Sequence, residues 1–297
     1  MQSEIKIPEF KIRCSAIGQI MTNPAGKSVA EKIAELEQDL QERKAKYAEM
    51  KPGLKSREKA AEMIDRKAGE LEDLYFKKDE PNLSATCKTF LKTWLDEKIY
   101  QRRIEFTSKQ TDKGIVVEED AIVYAAAHID EMGFVSKNLH RFSNDFMHGE
   151  PDVINEDYVF DIKSSWTHGT FPLYDSEIPE TGYTWQVLGY MELTKKQKGS
   201  VIFCLMSMPE DMIRKEARWK LPEGYTEQEY EEFSAQFRYD DLPPYLRIKQ
   251  YDVEYSEEKI EAIKTRVLMC RQYIETTLLP EVEKNFKKFN THDKKGF

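Results

Sequence analysis

The segment GEPDVINEDYVFDIK, residues 149 to 163, places Asp152, Asp161 and Lys163 at a spacing that suits phosphate chemistry. If Glu156 and Asp157 form a two-residue turn, cross-strand partners have numbers summing to 313, and Asp152 stands opposite Asp161. Cβ atoms so paired lie roughly 4.5–5.5 Å apart, and like charges at that separation destabilise a sheet. The cost grows as the surroundings dry. Two remedies exist: one carboxylate keeps its proton, or a cation sits between the pair. Strand alternation also projects Asp161 and Lys163 to one face while Phe160 and Ile162 point to the core. Hard oxygen ligands suit Mg2+, with Mn2+ able to substitute, and such an ion binds substrate phosphate and lowers the pKa of a bound water. A neighbouring lysine orients or deprotonates that water, or balances charge in the transition state. All of this depends on register, since a three-residue turn would shift the pairing by one.

The elements that must hold these groups follow from pattern and punctuation. Residues 12 to 21 read as a short element leading into a helix, with Ser15 as N-cap. Between residues 28 and 80 the composition turns to Ala, Glu, Lys, Leu and Arg, interrupted by Lys51-Pro52-Gly53. Ile33, Leu36 and Leu40 recur at helical spacing, so an antiparallel helical hairpin is expected. It serves either as a plain structural arm or as a clamp over a long substrate or an oligomer contact. Ser84 to Tyr100 reads as a helix with Phe90, Leu91, Trp94 and Leu95 on its apolar side. Lys113-Gly114 reads as punctuation before a second helix, VVEEDAIVYAAAHI. After the 152–163 hairpin come a Pro-containing loop, a helix from Tyr183 to Leu193 and a buried strand, GSVIFCLMSM, at 199–208. Two short helices are expected within 209–245, then the strand LRIKQYDVEY and a long amphipathic helix from Glu257 to about Lys288. The tail FNTHDKKGF reads as frayed.

Helices thus flank strands in mixed order, an α/β arrangement. The expected organisation is a single domain, 1–297. A helical hairpin at 28–80 elaborates it, a core spans 84–208, an insert 209–245, and a closing strand and helix 246–290.

Composition narrows the function classes. The chain has 297 residues, 40% of them hydrophobic, with 15 Phe and 15 Tyr, enough for a sizeable core. No apolar run approaches the roughly 20 residues of a membrane span, and the first residues lack a signal-peptide core. A cytoplasmic protein is expected, in a bacterium or a phage-infected host cell. Four scattered cysteines, Cys14, Cys87, Cys204 and Cys270, form no CxxC pair, which argues against zinc ribbons and favours reduced buried thiols. The net charge of −9 does not advertise a nucleic-acid binder, although basic residues cluster locally, as at Arg43, Lys44 and Lys46 and from Lys51 to Lys59.

Residues flanking the hairpin sharpen its meaning. Gly114-x-x-x-Glu118, then Pro151-Asp152, then Asp161-Ile162-Lys163, then Gln186-x-x-x-Tyr190 follow one another in order. This series resembles the PD-(D/E)XK nuclease superfamily, and more narrowly its RecB-type and YqaJ-like branch of lambda-type phage exonucleases. The resemblance covers residues 114 to 193 directly and leaves 28–80 and 209–245 unexplained. It implies a restriction-endonuclease-like core in which Glu118, Asp152 and Asp161 bind metal and Lys163 is the catalytic lysine. Gln186 and Tyr190 match the QxxxY motif; an i,i+4 pair shares one helix face and contacts either DNA or the lysine. Ser15-Ala16 is similar to the short N-terminal motif of the branch, which adds Ser15 to the expected substrate contacts. Some relatives carry an iron–sulfur cluster on four cysteines, but the cysteine pattern here departs from theirs, and none is expected. Some use a histidine ligand; His148 is the nearby candidate, and His128 reads as structural.

The resemblance therefore implies a Mg2+-dependent deoxyribonuclease, acting as an exonuclease on double-stranded DNA ends in phage-type recombination. Such enzymes commonly work with a single-strand annealing protein and often form homo-oligomeric rings. A structure- or site-specific endonuclease on the same core, or a catalytically silent DNA-binding scaffold, are the competing readings.

Overall fold

The register of the 149–163 hairpin is the one its turn chemistry dictates. In a computed structural model, which describes residues 7–103 and 108–284, Val153 pairs with Phe160 and Ile154 with Val159. Both pairs obey the two-residue-turn rule and leave Asp152 opposite Asp161. The turn is fixed by Asn155, whose Oδ1 accepts hydrogen bonds from the Asp157 and Tyr158 amides at 3.0 and 2.8 Å. Asparagine at this position mimics a backbone turn, which pins the strand alternation that follows.

The described residues fall into two units, those within 1–7, 20–99 and 268–297 and those within 8–19 and 100–267. In the first, α2 (Val29–Glu49) and α3 (Lys55–Phe76) form the helical hairpin expected from the sequence. Ser28 starts α2 with a capping box: its side chain accepts from the Glu31 amide, and the Glu31 carboxylate reaches back to the Ser28 amide. Gly53 takes a left-handed φ of 83° at the reversal, which a glycine adopts without strain. The Lys67–Asp39 ion pair, at 2.7 Å, and the Tyr75–Glu37 hydrogen bond close the hairpin nearer its base. α4 (Ala85–Tyr100) starts at Ser84, whose hydroxyl accepts from the Cys87 amide, and buries Cys87, Leu91 and Leu95.

The second unit holds the sheets. β1 (Ile12–Arg13) runs parallel to β3 (Met147–Gly149), which pairs antiparallel with β2 (Phe142–Ser143). A mixed four-stranded sheet follows the order β4 (Val153–Ile154), β5 (Tyr158–Ser164), β6 (Lys198–Cys204) and β7 (Ile248–Glu254). β5 and β6 are parallel, linked through α6 (Thr181–Thr194); the outer pairs are antiparallel. One face of this sheet packs against α5 (Lys109–Ala126) through Val117, Ala121, Ile122 and Ala125, with Phe160, Ile162 and Ile202 opposite them. Phe160 and Ile162 therefore do point into the core, as alternation requires. α7 (Glu210–Lys220) and α8 (Glu227–Ala235) form the two short helices of the 209–245 segment and share a small core of Ile213, Ala217 and Tyr230. α9 (Glu257–Tyr273) and the helical residues beyond it, to 284, make the long C-terminal helix.

Close approach fixes α6 against the N-terminal turn. A Cβ on Gly149 would stand 2.7 Å from a ring carbon of Tyr190 and 2.8 Å from the Cys14 sulfur. One on Gly189 would meet Ile17 at 2.6 Å. Only glycine lets β3 and α6 close on the Cys14 turn, and that closure sets where Tyr190 and Gln186 point.

Three expectations are corrected. Ser15 caps no helix, because the turn starts one residue earlier, as a 3-10 turn over Cys14–Ala16 continuing into α1 (Ile17–Ile20). Lys113-Gly114 does not punctuate the chain. The Ser108 hydroxyl accepts from the Thr111 amide and begins α5 five residues before Lys113, so both lie inside the helix. The strand expected over 199–208 ends at Cys204, where pairing with β7 stops. The last expected turn of the long helix and the tail from residue 285 lie outside the described residues. All four cysteines are buried, and none forms a disulfide among the described residues. No helix among the described residues is long and apolar enough to cross a membrane.

Candidate active site

β5 brings the chemistry to the edge of a cleft of about 550 Å³ between α5 and α6. Glu118, Asp152, Asp161, Lys163 and Gln186 all line it, with Gly114, Tyr183 and Phe203. Gly114 stands one helical turn before Glu118, and a Cβ there would meet nothing within 4 Å, so its missing side chain leaves the cleft open.

Asp161 is 1% exposed, and its two oxygens are treated differently. Oδ1 accepts from Gln186 Nε2 at 2.8 Å. Oδ2 lies 2.8 Å from Lys163 Nζ as an ion pair and is otherwise buried without a hydrogen-bond donor. Asp152 sits across the strand pair, with Oδ2 accepting from the Ile162 amide at 2.6 Å. Desolvation, then the charge of Asp161, pushes the Asp152 carboxyl up to about 7, and desolvation raises Asp161 as well. The electrostatic conflict visible in the sequence is therefore present in the fold. It is relieved by Lys163 and by a proton.

Lys163 itself stays charged. Burial works against its ammonium, but the carboxylates of Asp161 and Asp152 outweigh that and raise its pKa. Its side chain is 23% exposed, and the ammonium lies 4.8 Å from the centre of the Tyr183 ring, a cation–π contact. Gln186 completes the network: its Nε2 also donates to the Tyr190 hydroxyl at 2.9 Å, and its Oε1 accepts from Lys163 at 3.4 Å. Gln186 and Tyr190 are 6% and 5% exposed. Of the two contacts open to this i,i+4 pair, the geometry shows the one to the lysine and Asp161. If the cleft acts on DNA, replacing Gln186 with leucine should leave Asp161 Oδ1 unsatisfied and lower kcat about 10- to 100-fold, with KM little changed. A purely structural role would instead lower Tm without that kinetic split.

Glu118 faces the cleft but is paired with Lys137 at 2.6 Å. Among the described residues no three His, Cys, Asp or Glu side chains converge to hold one ion as they stand. The donor set nonetheless fits a hard divalent cation: the ligands are oxygens only, and Asp161 Oδ2 is buried with no partner besides the Lys163 ammonium. Asp152 and Asp161 would hold it, with Glu118 joining once released from Lys137. Ser15 is exposed on the N-terminal turn and does not line this cleft. His148 accepts from Arg141 at 2.8 Å and is also outside the lining, while the ring of His128 donates to the Tyr124 carbonyl.

Three contributors escaped the sequence reading. Tyr183, three residues before Gln186, shares its helix face and was detectable by spacing. Lys137 reaches Glu118 from a loop, and no local pattern announces it. Lys113 is fully buried and donates to the carbonyls of Ser165, Trp166 and Met206 at 2.7–3.0 Å. It ties α5, which carries Glu118, to the chain just after Lys163.

The helix-flanked mixed sheet, with an N-terminal helical hairpin and a long C-terminal helix, is the α/β arrangement expected from the sequence. The solved structure of a phage-related exonuclease from Haemophilus somnus 129PT is similar over 93% of this chain and 97% of its own, with a TM-score of 0.62 and 21% identity. An alkaline exonuclease from Laribacter hongkongensis matches 69% of this chain and 87% of its own at a TM-score of 0.49 and 14% identity. No family model and no curated protein sequence matches the chain.

Proposed function

We propose that the protein is a metal-dependent deoxyribonuclease that hydrolyses phosphodiester bonds as an exonuclease at the ends of double-stranded DNA. The observation that carries this reading is the Asp152–Asp161–Lys163 cluster, two opposed carboxylates and an ammonium at the floor of an open cleft. The fold it shares with a phage-related exonuclease supports the choice of end-directed cleavage over cleavage within a strand. Mg2+, or Mn2+ in its place, would supply phosphate neutralisation and an acidified water when bound by Asp152 and Asp161.

The residues of this chain do the rest. Lys163, held charged by its carboxylate neighbours, donates from Nζ to the attacking water or the phosphate and offsets transition-state charge. Gln186 orients Asp161 and fixes the lysine, and Tyr190 fixes Gln186. Glu118 contributes once it leaves Lys137. Ser15 contacts substrate away from the cleft floor. We further infer a place in phage-type recombination, inside the cell, beside a single-strand annealing protein and within a homo-oligomeric ring.

Linear and covalently closed circular duplexes of one sequence separate the readings. The exonuclease reading expects release of nucleotides from the linear form only, dependent on Mg2+ or Mn2+. Cleavage of the circle would make the protein an endonuclease, and an intact linear substrate would leave only a DNA-binding role.

A further inference from the structure

Charge along the helical hairpin is strongly segregated. Residues 43–59, the end formed by the last turns of α2, the loop and the first turn of α3, hold seven Lys or Arg against two Glu. The flanking stretches 28–42 and 60–76 are net acidic, as is the chain at −9. The two halves also differ in how their charges are used. Towards the base, Asp39 takes both Arg43 and Lys67, Glu70 pairs with Arg66, and Glu35 with Lys27. At the far end Lys44, Lys46, Lys51, Lys55 and Lys59 are all exposed, and none has a carboxylate partner among the described residues.

Helix physics does not account for this. Lys44 and Lys46 lie near the C-terminus of α2, where cations are welcome, but Lys55 and Lys59 stand at the start of α3, where the macrodipole disfavours them. They are also four residues apart on one face, a like-charge spacing that costs a helix a few tenths of a kcal/mol. Arg57 adds its charge to the same end, held by the Met50 carbonyl at 2.9 Å and stacked over Tyr47 at 4.7 Å. Concentrated positive charge, unpaired and placed against local preference, calls for a polyanion.

We propose that this end of the hairpin is a backbone-binding anchor for duplex DNA, separate from the cleft that cleaves it; the inference rests on the nuclease reading above. Duplex DNA offers about one negative charge per 1.7 Å of axis, so roughly 10 Å of it presents about six phosphates to these six cations. The contacts are to phosphate, so the anchor carries no sequence preference; it adds affinity on long duplexes and leaves the chemical step alone.

The test is the salt dependence of binding to a 40-base-pair duplex, measured in Ca2+ or EDTA, for the wild type and for the variant with all five lysines changed to alanine. Alanine is the better helix former, and circular dichroism checks that the hairpin persists. The variant is expected to bind at least tenfold more weakly near 0.1 M salt, and its log–log salt slope should shrink by about three to four. kcat at saturating DNA should be unchanged, with KM raised. A variant slope equal to the wild type's, with a wild type that cleaves DNA, would overturn the anchor and leave the nuclease reading standing. An unchanged slope with an altered sedimentation coefficient would assign the basic end to contact with a second copy, which also overturns it. If the wild type cleaves no DNA, the nuclease reading itself fails.

Discussion

Lys163→Ala should reduce DNA cleavage by about 10³-fold, with duplex binding retained in the absence of hydrolysis. Removal of a single preorganised donor costs roughly 10²–10³ in kcat, and Lys163 both donates and neutralises. It is also held at its station by three partners, Asp161, Gln186 and the Tyr183 ring. The stability cost should fall below the ~3–5 kcal/mol usual for breaking a buried ion pair, because Asp161, raised already, takes up a proton once its partner is gone. Asp161→Asn should give the same kinetic loss by a different route, since it removes a cation ligand and keeps the contact to Gln186. Cleavage retained by either variant, measured on end-labelled duplex under saturating Mg2+, would displace the site from β5.

A second large effect concerns metal and pH together. Asp152 is raised from 3.8 to about 7, so its contribution to stability is fully present below the unfolded value and lost as pH rises through 7. The metal-free protein should therefore lose stability between about pH 4 and 7 on account of this group. A divalent cation replaces the proton, so the gain in Tm from Mg2+ or Mn2+ should be small at pH 5.5 and large at pH 8. At a metal concentration 100 times Kd the gain is about 2.7 kcal/mol, or roughly 5–10 °C for a unit of this size. Asp152→Asn keeps an acceptor for the Ile162 amide and removes the buried charge. Metal-free at pH 8, it should melt no lower than the wild type, and it should lose most of the metal response. A metal-induced shift of equal size at both pH values would contradict the assignment.

How much of this was legible in the sequence differs from residue to residue. The Asp152–Asp161 opposition was, because Asn155 imposes a local turn whose register propagates by alternation, and a period of two leaves little freedom. The Gln186–Tyr190 pair was, because i,i+4 geometry is local. The helical hairpin was, through the helical spacing of Ile33, Leu36 and Leu40 and its Pro-Gly break. What escaped depends on contacts between distant segments. Lys113 beside Gly114 looks like a loop signal until three carbonyls from two other strands' ends are brought to it. Lys137 gains meaning only from its meeting with Glu118. The two packing units are assembled from discontinuous stretches of chain, which no linear reading of composition delimits.

The most direct test of the account is release of acid-soluble nucleotide from uniformly labelled linear duplex by metal-stripped protein, with and without added Mg2+ or Mn2+. The cluster on β5 predicts no release without metal, progressive release on adding either ion, and almost none from Lys163→Ala under the same conditions. Intact DNA in every lane, or equal release by the wild type and Lys163→Ala, would contradict it.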